Sequence, residues 1–199
     1  GNAEVTASGG SASAGIGSGW DSTFSGGTIT IKDNSKVTAI GSNGFSQNTS
    51  CSNPAIGASE KANPGYNPAK APMNGTITIT DNAQVKIGSD TKFGTSRTPL
   101  IGEASSEPTG TGKIEISGNA AVSNIDGSSD IAIGGGTASS TIDISIGANT
   151  NINGTKGSDI LDGKSSNVKL NTVKTPTLVP ESAPADASAR PHPNGGYNN

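Results

Sequence analysis

The stretch Ile29-Thr30-Ile31-Lys32-Asp33-Asn34-Ser35-Lys36-Val37 decides the fold, because it recurs. Ile77-Thr78-Ile79-Thr80-Asp81-Asn82-Ala83-Gln84-Val85 repeats it. Ile114-Glu115-Ile116-Ser117-Gly118-Asn119-Ala120-Ala121-Val122 and Ile144-Ser145-Ile146-Gly147-Ala148-Asn149-Thr150-Asn151-Ile152 follow. The shared template is I-x-I-x-[DGA]-N-[SAT]-x-[VI], with no gap in any of the four copies. Alternation within I-x-I puts both isoleucines on one face of a strand. The residues between them (Thr30, Thr78, Glu115, Ser145) then face outward. Asn tolerates the left-handed conformation and bonds nearby backbone, so it suits a sharp bend into the next apolar segment.

A second element alternates with the first. It is a short apolar-Ile-Gly step at Gly15-Ile16-Gly17, Ala55-Ile56-Gly57, Leu100-Ile101-Gly102 and Ala132-Ile133-Gly134, with a weaker fifth at Ile160-Leu161-Asp162-Gly163. Each repeat thus has three apolar segments: I-x-I, V-x-A and x-I-G. Successive I-x-I segments start 48, 37 and 30 residues apart, so the insertions at 42–53, 60–74 and 90–98 are loops. Three short strands per repeat, joined by bends, describe a coil of a parallel β-solenoid. The fold class expected is all-β: a right-handed parallel β-helix of about five coils, three short strands per coil. A β-sandwich is also short-stranded, but it has no reason to repeat one template. Stacked coils put Asn34, Asn82, Asn119 and Asn149 above one another as an amide ladder.

Composition agrees once the repeat is seen. The 199 residues include 19 Ile, 7 Val, 4 Leu and 3 Phe, few large apolar residues for a globule. A net charge of −3 lacks the self-repulsion of a disordered chain. Ile outnumbering Leu favours strands, and the 29 Gly supply corners. No run of 18 apolar residues exists to span a bilayer. A pI near 5.1 without a basic cluster argues against nucleic acid. The single Cys51 excludes an internal disulfide framework. Residue 1 falls inside a repeat, since Asn2-Ala3-Glu4-Val5 reads like Asn34-Ser35-Lys36-Val37. The chain is therefore expected to be part of a longer one. Val168-Lys169-Leu170 reads as a last strand, and from Thr172 a Pro-rich stretch replaces the period. Boundaries follow at 1–171 for the solenoid and 172–199 for a linker or disordered tail.

The I-T-I-x-x-N-x-x-V-x-A-x-G segment, followed by G-I-G-S-G or A-I-G, resembles repeats of secreted and surface-anchored bacterial proteins. That resemblance covers roughly residues 2–163 and implies a pectate-lyase-type right-handed parallel β-helix. It implies extracellular localisation, with carbohydrate binding or adhesion as the function. Relatives of this kind also include parts of large adhesins; the repeat itself, its cut-in start and the Pro-rich exit give the alternative, a structural spacer or stalk of a larger surface protein. The same fold hosts polysaccharide lyases and hydrolases.

Little in the chain supports catalysis. The only His, His192, sits in the Pro-rich stretch, which leaves no base for a Ser or Cys nucleophile. Outward positions of the I-x-I strands place no two acids at one equivalent site. Glu103 and Glu107 share one loop. Gly154-Thr155-Lys156-Gly157-Ser158-Asp159-Ile160-Leu161-Asp162-Gly163 fits one calcium-binding nonapeptide, with Asp159 and Asp162 as ligands. Calcium is thus the one cofactor the chain hints at. By position the same residues read as a last x-I-G strand and its turn.

The aromatics are the functional candidates. Trp20, Phe24 and Tyr66 all fall in connections from x-I-G to the next I-x-I segment. Connections at one corner of neighbouring coils lie side by side, so these rings are expected to form one patch. Aromatic faces stack on sugars, and Asn, Asp and Gln supply hydroxyl partners. The alternative is that the rings fold back to cover the coil edge. The expected partner is polysaccharide or a host or cell-surface glycan.

Overall fold

The computed structural model describes residues 1–19, 22–42, 53–59, 72–89, 100–104, 110–127, 131–136, 140–171 and 177–179. The chain enters through β1 (Glu4–Ser8) and β2 (Ile16–Gly17). The first full template forms β3 (Thr28–Ile31), β4 (Lys36–Gly41) and β5 (Ile56–Ala58). The second forms β6 (Thr76–Ile79), β7 (Gln84–Ser89) and β8 (Ile101–Glu103). The third forms β9 (Lys113–Ile116), β10 (Ala121–Asn124) and β11 (Ile131–Gly134). The fourth begins with β12 (Asp143–Gly147) and β13 (Asn151–Ile152), then departs through β14 (Thr155–Lys156) and the short helix α1 (Gly157–Leu161). Strands β15 (Val168–Asn171) and β16 (Thr177–Val179) complete the described chain.

Like segments stack on like. The I-x-I strands form one sheet in the order β16-β12-β9-β6-β3, and the x-I-G strands form another, β15-β11-β8-β5-β2. The V-x-A strands form a third, β1-β4-β7-β10-β13-β14. Every pairing is parallel except β13 with β14. This arrangement is compatible with a right-handed parallel β-helix of about five coils.

Register aligns the template residues. Ile29, Ile77, Ile114 and Ile144 form one column, and Ile31, Ile79, Ile116 and Ile146 another. Ile16, Ile56, Ile101, Ile133 and Leu170 line the x-I-G sheet. Val5, Val37, Val85, Val122 and Ile152 line the third. Most of these side chains are fully buried, so the core is a narrow aliphatic rod. Val5, in the terminal coil, is 44% exposed.

The bends show how the template works. At each, a backbone N–H closes a turn on the carbonyl three residues back: Ser35 on Lys32, Ala83 on Thr80, Ala120 on Ser117 and Thr150 on Gly147. The left-handed residue is not the Asn but the one before it: Asp33 (φ 62°), Asp81 (φ 60°) and Gly118 (φ 65°). Freed from that task, the Asn side chains stack. Asn34 donates to Asn2 Oδ1 at 3.3 Å, Asn82 to Asn34 at 3.1 Å and Asn119 to Asn82 at 3.2 Å. The rungs seen thus run from Asn2 to Asn119. Asn149 occupies the next equivalent position, and its carbonyl accepts Lys156 Nζ at 3.3 Å.

Two segments depart from the sequence expectations. Ile160-Leu161 lies in α1 rather than in an x-I-G strand. The fifth strand of that sheet is β15, where Val168 pairs with Ile131. The I-x-I sheet also gains β16, with Thr177 opposite Ser145 and Leu178 opposite Ile146. It lies past the boundary at 171, because pairing on a sheet edge uses backbone groups and needs no template.

Candidate functional site

The corner between the x-I-G and I-x-I sheets is the candidate site. The connection 18–27 leaves β2 and enters β3, and the connection 59–75 leaves β5 and enters β6. Because β2 pairs with β5 and β3 with β6, the two connections start together and end together. Hydrogen bonds tie their roots. Ser59 N–H donates to Ser18 Oγ at 3.0 Å, and Ser59 Oγ donates to the Ser18 carbonyl at 2.8 Å. At the far end Phe24 bridges Met73, and Asn74 N–H donates to the Phe24 carbonyl at 2.8 Å.

Phe24 is half-buried and packs on the core. Its ring lies against Gly27 and Gly75, whose missing side chains leave room for it. Phe24 therefore covers the coil edge at this corner and stays partly exposed. Trp20 and Tyr66 lie outside the described residues, as do Cys51, Glu107 and His192. Next to Phe24, the exposed Asn74 Oδ1 accepts the Thr111 N–H at 3.1 Å and its hydroxyl at 3.3 Å. The corner thus presents an aromatic floor flanked by exposed amide and hydroxyl groups.

The calcium reading gains no geometry. The nonapeptide stretch forms α1, with Asp159 exposed in its first turn. Asp162 is exposed and its Oδ2 lies 3.3 Å from Lys164 Nζ. Among the described residues no three His, Cys, Asp or Glu side chains gather where they would hold a metal ion. On the outer face of the I-x-I sheet, Glu115 pairs with Lys113 at 3.0 Å.

One group escaped the sequence reading. Glu103 is not in a loop but ends β8, only 1% exposed. Neither carboxylate oxygen has a hydrogen-bond partner. Burial pushes its pKa up to about 7, and the Met73 backbone N–H offsets part of that rise. The only sequence-level signal lies in register: Glu103 aligns with Ala58, a buried position.

No protein-family model, curated protein or solved structure matches the chain. Among the described residues, no helix is long and apolar enough to cross a membrane.

Proposed function

We propose that this β-helix is a non-catalytic, extracellular binding domain of a bacterial surface protein, and that it binds glycan at the corner carrying Trp20, Phe24 and Tyr66. The observation that carries the proposal is the pairing of both connections at both ends. It brings the roots of the connections 18–27 and 59–75 together beside Phe24, which supports the reading. Sugar recognition uses such a combination, an apolar face flanked by fixed polar groups. The resemblance of the repeats to those of bacterial surface proteins supports the location, and the lone His192 supports binding without turnover.

Glycan-array and polysaccharide pull-down measurements test this. Wild type is expected to bind, and Trp20→Ala is expected to lose about tenfold or more in affinity, as for removal of an aromatic anchor. Failure of the wild type to bind any glycan overturns the proposal. The uninterrupted aliphatic rod favours a second reading, a stiff spacer. In that case wild type binds nothing, yet the domain resists unfolding under force. A hydrolase or lyase would instead release products from pectin-like or β-glucan substrates.

A further inference from the structure

The corner described above is filled by two columns of side chains that complement each other coil by coil. One column follows the x-I-G glycines: Ala58 aligns with Glu103, and Gly135 follows Gly134, the partner of Gly102. The other column leads into the I-x-I strands. It contains Met73, then Gly110 packed on the Met73 backbone, then Ser140, which precedes the Thr141 whose hydroxyl donates to the Gly110 carbonyl. In the Met73 coil the large residue comes from the second column and small Ala58 faces it. In the next coil the sizes reverse. Glu103 Oε2 lies well under 3.0 Å from where a Gly110 Cβ would stand. One coil further, Ser140 fills the space of the absent Gly135 side chain. Glu103 thus does in its coil what fully buried Met73 does one coil earlier.

A carboxylic acid in a methionine's place has one distinguishing property, a proton it can lose. We propose that Glu103 is a proton-dependent plug: protonated, it fills the corner as Met73 does, and ionised, it leaves the corner and unlatches this coil from its neighbours. The groups facing it from the described elements packed against it are Ala58 of β5, Gly135 of β11, and Met73, Gly110 and Ser140 of the segments leading into β6, β9 and β12. None of them is charged or titratable. Among the described residues of those segments and strands, the charged Lys113 and Asp143 are exposed. Ser140 Oγ is itself buried without a partner, and among the described residues the Met73 backbone N–H alone favours the anion, offsetting only part of the effect of burial. A buried carboxylate in such surroundings either keeps its proton or moves to water.

The sign follows from the direction of the shift. Glu103 ionises at about 7 in the folded chain and at 4.5 as a free side chain. Its contribution to stability is therefore full below about pH 4.5, falls as pH rises through the interval, and levels off above about pH 7. The loss corresponds to on the order of a hundredfold in the folding equilibrium.

Unfolding should be followed against pH for wild type, Glu103→Gln and Glu103→Met, together with amide exchange at Met73, Ala104 and Gly110. The difference between wild type and Glu103→Met is expected to grow between about pH 4.5 and pH 7 and then stay constant. Exchange at the three amides should accelerate in wild type alone, beyond the intrinsic effect of base. Glu103→Met uses the side chain already accommodated one coil earlier, so it serves if Glu103→Gln does not fold. Parallel pH profiles for wild type and Glu103→Met would overturn the proposal. So would removal of the wild-type pH dependence by millimolar calcium chloride, which would make Glu103 a cation ligand instead. The outcome is independent of whether the corner binds glycan.

Discussion

Gly57→Ala is expected to destabilise the coil stack by about 2–6 kcal/mol, enough at the upper end to unfold a marginally stable domain. Gly57 closes the x-I-G step at φ 138°, a conformation that side chains rarely adopt. Gly17 (140°), Gly102 (133°) and Gly134 (128°) share it, so the four form a column. In that geometry the direction of the missing Cβ points at the next coil. A Cβ on Gly57 would stand well under 3.0 Å from the Gly102 carbonyl oxygen. That oxygen belongs to the backbone of a paired strand, so it cannot swing away. Relief requires the coils to separate, which stretches the parallel ladder on either side. Two costs therefore add: strain at the dihedral angle, about 1–3 kcal/mol, and overpacking of similar size. Gly10→Ala is the control. Gly10 has no positive φ and open space around it, so its substitution should stay within about 0.5 kcal/mol. Chemical denaturation of the two variants against wild type checks the contrast.

Ile116→Ala is expected to cost about 2–5 kcal/mol, the range for emptying a fully buried isoleucine site. Ile116 is 0% exposed and sits between Ile79 and Ile146 in the middle of its column. The rod is one side-chain layer wide, and both neighbours are held by paired backbone, so the site cannot collapse to fill the void. Ile29 belongs to the adjacent column, in β3 at the edge of the described sheet, and is only half-buried. Ile29→Ala should therefore cost less than about half as much. A gradient of this kind along the axis is the signature of nearest-neighbour stacking, in which each coil is stabilised by the one above and the one below. Equal losses at both sites, measured by denaturant midpoints at constant m-value, would show that burial does not follow coil position.

Much of the fold is legible in the sequence because each coil repeats the same physical problem. I-x-I reads as a strand with one buried face, and the four copies demand stacking. The Gly of the x-I-G step is visible as a pattern, but its reason is not. Only the register reveals that the next coil's carbonyl occupies the Cβ position. The Asn of the template was expected to make the bend. Instead Asp33, Asp81 and Gly118 take the left-handed conformation and Asn stacks. Both residue types tolerate that conformation, so local propensity does not choose between them. Tertiary stacking of the amides does.

The misses have the same origin. Ile160-Leu161 matches the apolar pair of a strand, yet Gly157 sits against the Gly147 carbonyl in a space with no room for a Cβ. The chain turns there into α1, and Ile160 is buried from a helix instead. Thr177–Val179 lies among prolines and looks like linker, but an open sheet edge accepts any extended backbone with free N–H groups. Of the candidate site, the pairing of the roots of connections 18–27 and 59–75 is legible, because it follows from chain order alone. The half-buried packing of Phe24 is not, since its ring fills the space that side chains at Gly27 and Gly75 would need. The buried state of Glu103 depends on the size complement across the corner, which no local stretch encodes.

In-register parallel stacking is the claim on which the rest depends, and paired cysteines test it most directly. Thr30 and Thr78 are register partners on the outer face of the I-x-I sheet, and Glu115 is the partner of Thr78 one coil further. Adjacent strands place paired Cα atoms about 4.8 Å apart, within disulfide reach, whereas positions two coils apart are about 10 Å distant and out of reach. In a Cys51→Ser background, Thr30→Cys with Thr78→Cys should oxidise readily to an intramolecular disulfide, detected by intact mass. Thr30→Cys with Glu115→Cys should remain reduced under the same conditions. Closure of the second pair as fast as the first, or of the second alone, would contradict the stacked β-helix.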